Sequence, residues 1–443
     1  MKRTGQPILR LERLECREVP SVAVVNPTTA TYTDVDGDHV TIDVSKGTLT
    51  AGLFTTLATG KGDQLQEINL SGGGFDGASI TFNVSTVAGG DGLANVGYIN
   101  STGHDLGEVV VKGDLGRIDA GSGSATVPAV KSLAVNSLGR LGTDTQPAGG
   151  DLESDINGGL GVLTVTRDVA GAGVLASGTI GAITIGGSLI GGSNALSGSI
   201  VSGHDLGAVK IGHDVHGGSG SNSGFIASEG KTASVNIGGS LIGGSSADSG
   251  EILGANGAVG PVQIGGNIVG GTNVFTGRIS ANTTLASVTI GGSLVGGSNS
   301  DNGEIKSSGD MGAVKIGHDM QGGSGTNSGF IGSGGKLAGV SIGGSVIGGS
   351  NTNSGEIFSS GDMGAVTVGH DVQGGSGVLS GLIQCDGKLT SASIGGSFIG
   401  GSNTRSGEIF SLGDMGAVTV GHDVLGGSGF ASGLIQCDGK LTS

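Results

Sequence analysis

Residues 314–337 read VKIGHDMQGGSGTNSGFIGSGGKL, three short apolar segments separated by Gly, Ser and Asn. The same order of residue types returns throughout the second half of the chain. Taking the last apolar residue before the Gly of each such segment as position zero aligns Ile185, Ile211, Ile237, Ile264, Ile290, Ile316, Ile342, Val368, Ile394 and Val420, with successive spacings of 26 and a single 27. A fixed period of about 20–50 residues marks stacked units, none of which can bury its apolar face alone.

The columns of this alignment assign the strands. Two residues before zero stands an aliphatic residue in every unit, from Ile183 to Val418, which is the alternation of a strand with one face buried. Four residues after zero a second apolar column runs from Leu189 through Met320 and Phe398 to Val424. Fifteen after zero the residue is Ile in all ten units, Ile200, Ile226, Ile252, Ile279, Ile305, Ile331, Ile357, Ile383, Ile409 and Ile435, which predicts a core column. Gly pairs six and seven residues after zero, from Gly191–Gly192 to Gly426–Gly427, read as corners. Ser328 reads as a corner residue that tolerates substitution. Strands this short are unstable unless stacked on copies of themselves.

The expected fold is therefore all-β, a parallel β-helix (β-solenoid) with three short strands per 26-residue rung, right-handed by the crossover rule. A leucine-rich repeat lacks its L-x-x-L-x-L frame here, a Ca²⁺-binding β-roll lacks its period and its Asp residues, and helical repeats are excluded by Gly every few residues.

Residues 181–443 form the regular array. Gly103-His104-Asp105-Leu106-Gly107 repeats as Gly203-His204-Asp205-Leu206-Gly207, and Val135 and Val165 sit at uneven spacing, so residues 66–180 read as irregular rungs with variable loops. Ala30 to Val44 (ATYTDVDGDHVTIDV) reads as two strands around an Asp36-Gly37 turn, within a β-hairpin cap over 22–65. Residues 1–21 suggest a short amphipathic helix. The last rung keeps the consensus up to Ser443, which suggests either an array that continues or an end that pairs with a partner.

Leu11-Glu12-Arg13-Leu14-Glu15-Cys16-Arg17-Glu18-Val19-Pro20-Ser21 resembles the L-E-x-L-E-D-R-x-x-P-S motif that opens many predicted surface or secreted proteins of planctomycete bacteria, with Cys16 in place of the usual Asp. The resemblance covers about 11 residues and implies an export or surface address, with no statement about activity.

Composition excludes several function classes. The 443 residues include 99 Gly and 6 Pro, only 13% are charged, and the net charge is −16, against a nucleic-acid partner recruited by a basic surface. Aromatics are 3%, with no Trp. No apolar run approaches the roughly 18 residues of a membrane helix. Cys16, Cys385 and Cys437 are too few for a disulfide framework; the last two lie 52 residues apart, two rungs, which predicts free thiols.

Three patterns could carry chemistry. Asp34, Asp36 and Asp38 alternate along one turn and make a Ca²⁺ candidate, although Gly37 and Ser45 do not fall where an EF-hand loop needs its Gly and bidentate acid. His213, His318, His370 and His422, each followed by Asp, recur on alternate rungs, too far apart to share a metal, and read as a solvated turn column. One column runs Asp205, Lys231, Gly257, Thr284, Asp310, Lys336, Asp362, Lys388, Asp414 and Lys440, and Glu304, Glu356 and Glu408 are separated by Phe330 and Leu382, which keeps like charges two rungs apart. Parallel β-helices also include polysaccharide lyases, whose catalytic groups form a unique cluster on one sheet; the repeating columns offer none, and only residues 112–180 have room for a cleft. The expectation is a non-enzymatic extracellular or cell-surface stalk, spacer or adhesive surface, without cofactor, facing cell-envelope or matrix components or further rungs of the same protein. A carbohydrate-binding or carbohydrate-active β-helix is the alternative.

Overall fold

A computed structural model describes residues 21–124 and 127–442. The amphipathic segment and most of the Leu11–Ser21 motif lie outside the described residues. Those described form a parallel β-solenoid of about 14 turns, with only two short 3-10 turns, Ala51–Leu53 and Gly142–Thr145. At a strand spacing of about 4.8 Å the rod is roughly 65 Å long.

One rung shows the construction. Met311–Ile316 is the long strand, Met320–Gln321 a two-residue strand, and Phe330–Ser333 the third. Each pairs in parallel with its equivalent one period on, Val314 with Val340, Met320 with Val346, and Ile331 with Ile357. Residues separated by one period therefore stack, and the apolar columns become continuous ridges inside the coil. The Ile column is buried from Ile200 to Ile409, and Ile435 on the last turn packs partly against the core. The long strand also buries its first residue, a column from Ile180 through Met311 to Met415 that the alternation alone did not reveal because one member is Thr232.

Serine supplies the rest of the interior. Beside the Ile column stand Ser307, Ser333, Ser359, Cys385 and Ser411, facing inward. Ser333 Oγ donates to the Gly309 or the Lys336 carbonyl, both at 3.0 Å, adding a second hydrogen bond to corner carbonyls that already accept the N–H of Gly335 and Met311 respectively. Cys385 and Cys437 occupy this column and are free thiols, with Ser411 between them.

The corner itself corrects the reading of Ser328. That residue is 0% exposed; its Oγ accepts the Gly323 N–H at 2.9 Å and donates to the Gly325 carbonyl at 2.7 Å. The chain enters this buried turn through a left-handed residue, Asn327 at φ 51°, and leaves it through Gly329 at φ 61°, where a Cβ would meet the Gln321 carbonyl. Ten rungs place a non-Gly residue in the left-handed position, including Leu196, Phe275, Leu379 and Arg405. Asn and Asp enter this region readily, whereas the bulkier residues do so at a cost that the stacked turn must offset.

Alternation of Gly-His-Asp and Gly-Gly-Ser rungs has a direct hydrogen-bond cause. Asp319 Oδ1 accepts the Ser345 N–H at 2.8 Å, Ser345 Oγ accepts the Asp371 N–H at 3.3 Å, and Asp371 Oδ1 accepts the Ser397 N–H at 2.7 Å. In the charged column Asp310 Oδ1 likewise accepts the Lys336 N–H at 2.8 Å, and Asp362 Oδ1 the Lys388 N–H at 3.1 Å. Each carboxylate thus ties down the backbone of the following rung.

The first turns depart from this plan. Ala23–Asn26, Thr29–Thr33 and His39–Val44 pair antiparallel, and His39–Val44 pairs antiparallel with Ala78–Ser85, which is in turn parallel to Leu106–Gly121. Ala78–Ser85 is the junction between cap and coil. Spacing in the early turns varies through one loop: Val169–Ala170 and Gly173–Ala176 are nearly contiguous, whereas from Leu189–Ile190 to Ser199–Ser202 an eight-residue loop intervenes.

The interior assignment has a test. Ile331→Asp should cost several kcal/mol by burying a carboxylate between Ile305 and Ile357, Ser328→Asp should approach that loss by filling a closed turn, and exposed Ser324→Asp should change stability by under about 0.5 kcal/mol. Urea unfolding of the three variants decides it; a mild loss at Ile331 would overturn the inward face.

Candidate functional site

The three sequence-derived candidates separate in the structure. Asp34, Asp36 and Asp38 do converge, with ligand atoms within 4.8 Å of one another. Their oxygens are engaged by backbone. Asp34 Oδ1 accepts the N–H groups of Asp36, Gly37 and Asp38, Asp36 Oδ2 accepts that of Asp91, and Asp38 takes those of Val87 and Gly92 at 2.7 Å each. The cluster clamps the loop after Ala78–Ser85 onto the cap hairpin. Burial and the neighbouring Asp36 push the Asp34 carboxyl up to about 6.

His213, His318, His370 and His422 are exposed, while their Asp partners serve the ladder described above, so the column is solvated at His and structural at Asp.

The third pattern is different. The third strands present two outward columns along the whole rod, and the chemically distinctive side chains of the molecule collect on them. One runs Glu67, Tyr98, Arg117 and later Glu251, Arg278, Glu304, Phe330; Asn100, Asp119 and later Lys306, Gly332 lie on the other. Outward residues of a third strand would be solvated, but the eight-residue loop folds over them. Its left-handed residue lies above, and the first outward column becomes buried: Glu251, Glu304, Glu356 and Glu408 are all at most 4% exposed.

Buried acids require partners. Arg278 stands between two of them: its Nη2 lies 2.8 Å from Glu251 and its Nη1 3.5 Å from Glu304, with the guanidinium 4.5 Å over the Phe275 ring. Desolvation still pushes both carboxyls up against the pull of that cation. Arg405 Nε donates to Glu408 Oε2 at 2.6 Å, and its guanidinium lies 4.7 Å over Phe410. Glu356 has no ion-pair partner within bonding distance among the described residues, and its Oε2 makes no hydrogen bond. Burial pushes its carboxyl up to about 8, opposed by the more distant Arg405.

Glu356 lines a pocket of about 550 Å³ with Phe330, Gly332, Asn353, Phe358 and Leu379. The sequence-based expectation of room for a cleft only within 112–180 is thus corrected; this one lies in the regular array, where Asn353 stands at the left-handed position and the Phe330 ring packs on the bare Cα of Gly332. Sequence reading placed Glu356 in a charge-alternating column but missed its burial, because the covering loop of Gly, Ser and Asn carries no apolar signal.

In the early rungs that loop varies, from two residues between Val169–Ala170 and Gly173–Ala176 to fourteen between Leu138 and Glu153, and on the same two outward columns Asp155 is exposed and Arg117, Asp119 and Glu153 are half-buried. The two columns bring together Tyr98, Arg117, Asp119, Asp151, Glu153 and Asp155, a cluster that occurs once, which the repeating columns had not suggested. Tyr98 donates to Asp119 at 2.7 Å, Arg117 pairs with Asp151 at 2.7 Å and lies 4.1 Å over the Tyr98 ring. Glu153 is pushed up by desolvation and then by Asp155, Asp151 and Asp119, and Asp155 by desolvation and then by Asp119 and Asp151, against the pull of Arg117. No protein family, curated protein or solved structure matches the chain.

Glu356 makes stability depend on pH. Its folded-state affinity for a proton exceeds the unfolded one, so stability is highest below the ordinary carboxylate range and falls as pH rises to about 8, by roughly 1.4 kcal/mol per unit at most. Glu356→Gln should leave the melting temperature at pH 4 unchanged and raise it at pH 9. Equal melting temperatures at both pH values would mean that the carboxyl is solvated.

Proposed function

We propose that the chain is a non-enzymatic rod at the cell surface or outside the cell, acting as a stalk, spacer or adhesive surface. The observation that carries this reading is continuity: from Val96 to Cys437 the strands pair in parallel from coil to coil in one unbroken stack. Such an object holds things apart at a fixed distance and presents the same surface repeatedly along its length. The motif resemblance at Leu11–Ser21 supports the export address. Cell-envelope or matrix components, or further rungs of the same protein, are the partners that suit it. In the source cell, protease treatment of intact cells should remove epitopes within residues 181–443; protection of those epitopes together with recovery in the cytosolic fraction would overturn the reading.

The cluster at Arg117, Asp119, Asp151, Glu153 and Asp155 favours a second reading, a carbohydrate-binding or carbohydrate-active β-helix. It combines acids of raised proton affinity, a guanidinium and a Tyr hydroxyl beside a pocket of about 260 Å³ lined by Asp151, Glu153, Asp155 and the first covering loop. Under this reading, polysaccharide retention in affinity electrophoresis falls at least tenfold on Glu153→Gln. Retention unaffected by that change, or none for neutral and acidic polysaccharides, would remove it.

A further inference from the structure

The pocket at Glu356 has an internal template two rungs away. Residues 351–359 read NTNSGEIFS and residues 403–411 read NTRSGEIFS, so Asn353, Glu356 and Phe358 are the counterparts of Arg405, Glu408 and Phe410, differing only in Asn for Arg. At the second copy a guanidinium fills the space, donating to the buried glutamate and lying over the phenyl ring. Elsewhere Arg278 donates to Glu251, lies 3.5 Å from Glu304 and stacks over Phe275 of the covering loop. At the first copy the glutamate and the ring remain and the guanidinium is absent.

The pocket walls match the missing group. Glu356 Oε2 and Asn353 Oδ1 are both buried and both without a hydrogen-bond partner. Asn353 faces this way because its Nδ2 is committed to Asn327 Oδ1 at 3.1 Å, and Asn327 in turn to Asp301 at 3.0 Å. Two unmatched acceptors call for a group that donates and does not accept, and a guanidinium offers five donors and no acceptor. Phe330 and Phe358 line the pocket with aromatic rings, which attract cations, and about 550 Å³ lies in the range of ligand pockets.

We propose that the pocket formed by Phe330, Asn353, Glu356 and Phe358 binds a guanidinium group supplied by another molecule, either a small guanidino compound or an arginine side chain of a polypeptide. The site is independent of whether the rod is a stalk. Binding of the cation requires the ionised carboxylate, so it releases a proton near neutral pH and strengthens as pH rises toward 8. The charged groups facing Glu356 are Arg405, which already answers Glu408, and Lys306 at the pocket rim, 3.7 Å from Glu304.

Calorimetry of the full chain with agmatine, and separately with a capped Gly-Gly-Arg-Gly-Gly peptide, tests this. At least one should bind with a dissociation constant below about 1 mM, with proton uptake by buffer revealed by repeating the titration in buffers of different ionisation enthalpy. A tenfold preference for the peptide identifies a polypeptide source, and agmatine binding as well or better identifies a small molecule. Glu356→Gln should weaken binding at least tenfold. Asn353→Arg should abolish it and raise the melting temperature, because the chain then supplies its own guanidinium as at Arg405, and this gain shows that the variant is folded. The proposal is overturned by absence of binding by either probe, by unchanged affinity in both variants, or by butylamine binding as tightly as agmatine.

Discussion

The coiled part of this molecule answers to one constraint: each rung lies in register on the one before, so a strand residue has a near copy of itself, or its designated partner, about 4.8 Å above and below. Ile on Ile satisfies that rule without adjustment, and the Ile column from Ile200 to Ile409 is the result. Serine satisfies it by turning its hydroxyl to the neighbouring rung's backbone, as Ser333 does toward Gly309. Carboxylates stacked on themselves at that distance repel, and in the regular array the chain places Ser, Lys, Arg or an apolar residue between them, whereas Asp155 in the early rungs lies directly on Asp119.

The same constraint explains how much was legible. Ile at every fifteenth position after the reference residue, and alternation such as Val314 with Ile316, fix three strands and their inward faces without structural information. Ser328 was misread because a hydroxyl in a Gly-rich segment looks solvated, while its real role is to satisfy the Gly323 N–H inside a closed turn. The unique cluster around Arg117 escaped notice because Asp119 and Asp155 are 36 residues apart in rungs of irregular length; only the register brings the Asp155 N–H to Asp119.

Glu356 marks the boundary of what pattern can show. Alternation correctly places it outward, opposite Ile357, yet outward here means beneath a loop. Whether a third-strand position is wet or dry depends on the eight residues preceding it, and those are chosen for turn geometry, with Asn, Asp, Leu or Arg all tolerated at the left-handed site. Side-chain identity there sets what the covered acid meets: Arg405 above Glu408, Asn353 above Glu356.

The Asp–Ser ladder imposes a parity on the later rungs of the array. Asp319, Ser345, Asp371 and Ser397 alternate, and so do Asp310, Lys336, Asp362 and Lys388, with the same period of two rungs. Removing the rung that carries Asp319 and Lys336 would stack Asp310 on Asp362 and Ser293 on Ser345, and removing the next would stack Asp319 on Asp371 and Lys336 on Lys388, whereas removing two leaves these contacts in kind. Between Ser293 and Lys440 the stack thus repeats in 52-residue units, and a gain or loss of one such unit changes the length of the rod by roughly 10 Å without placing like side chains on one another.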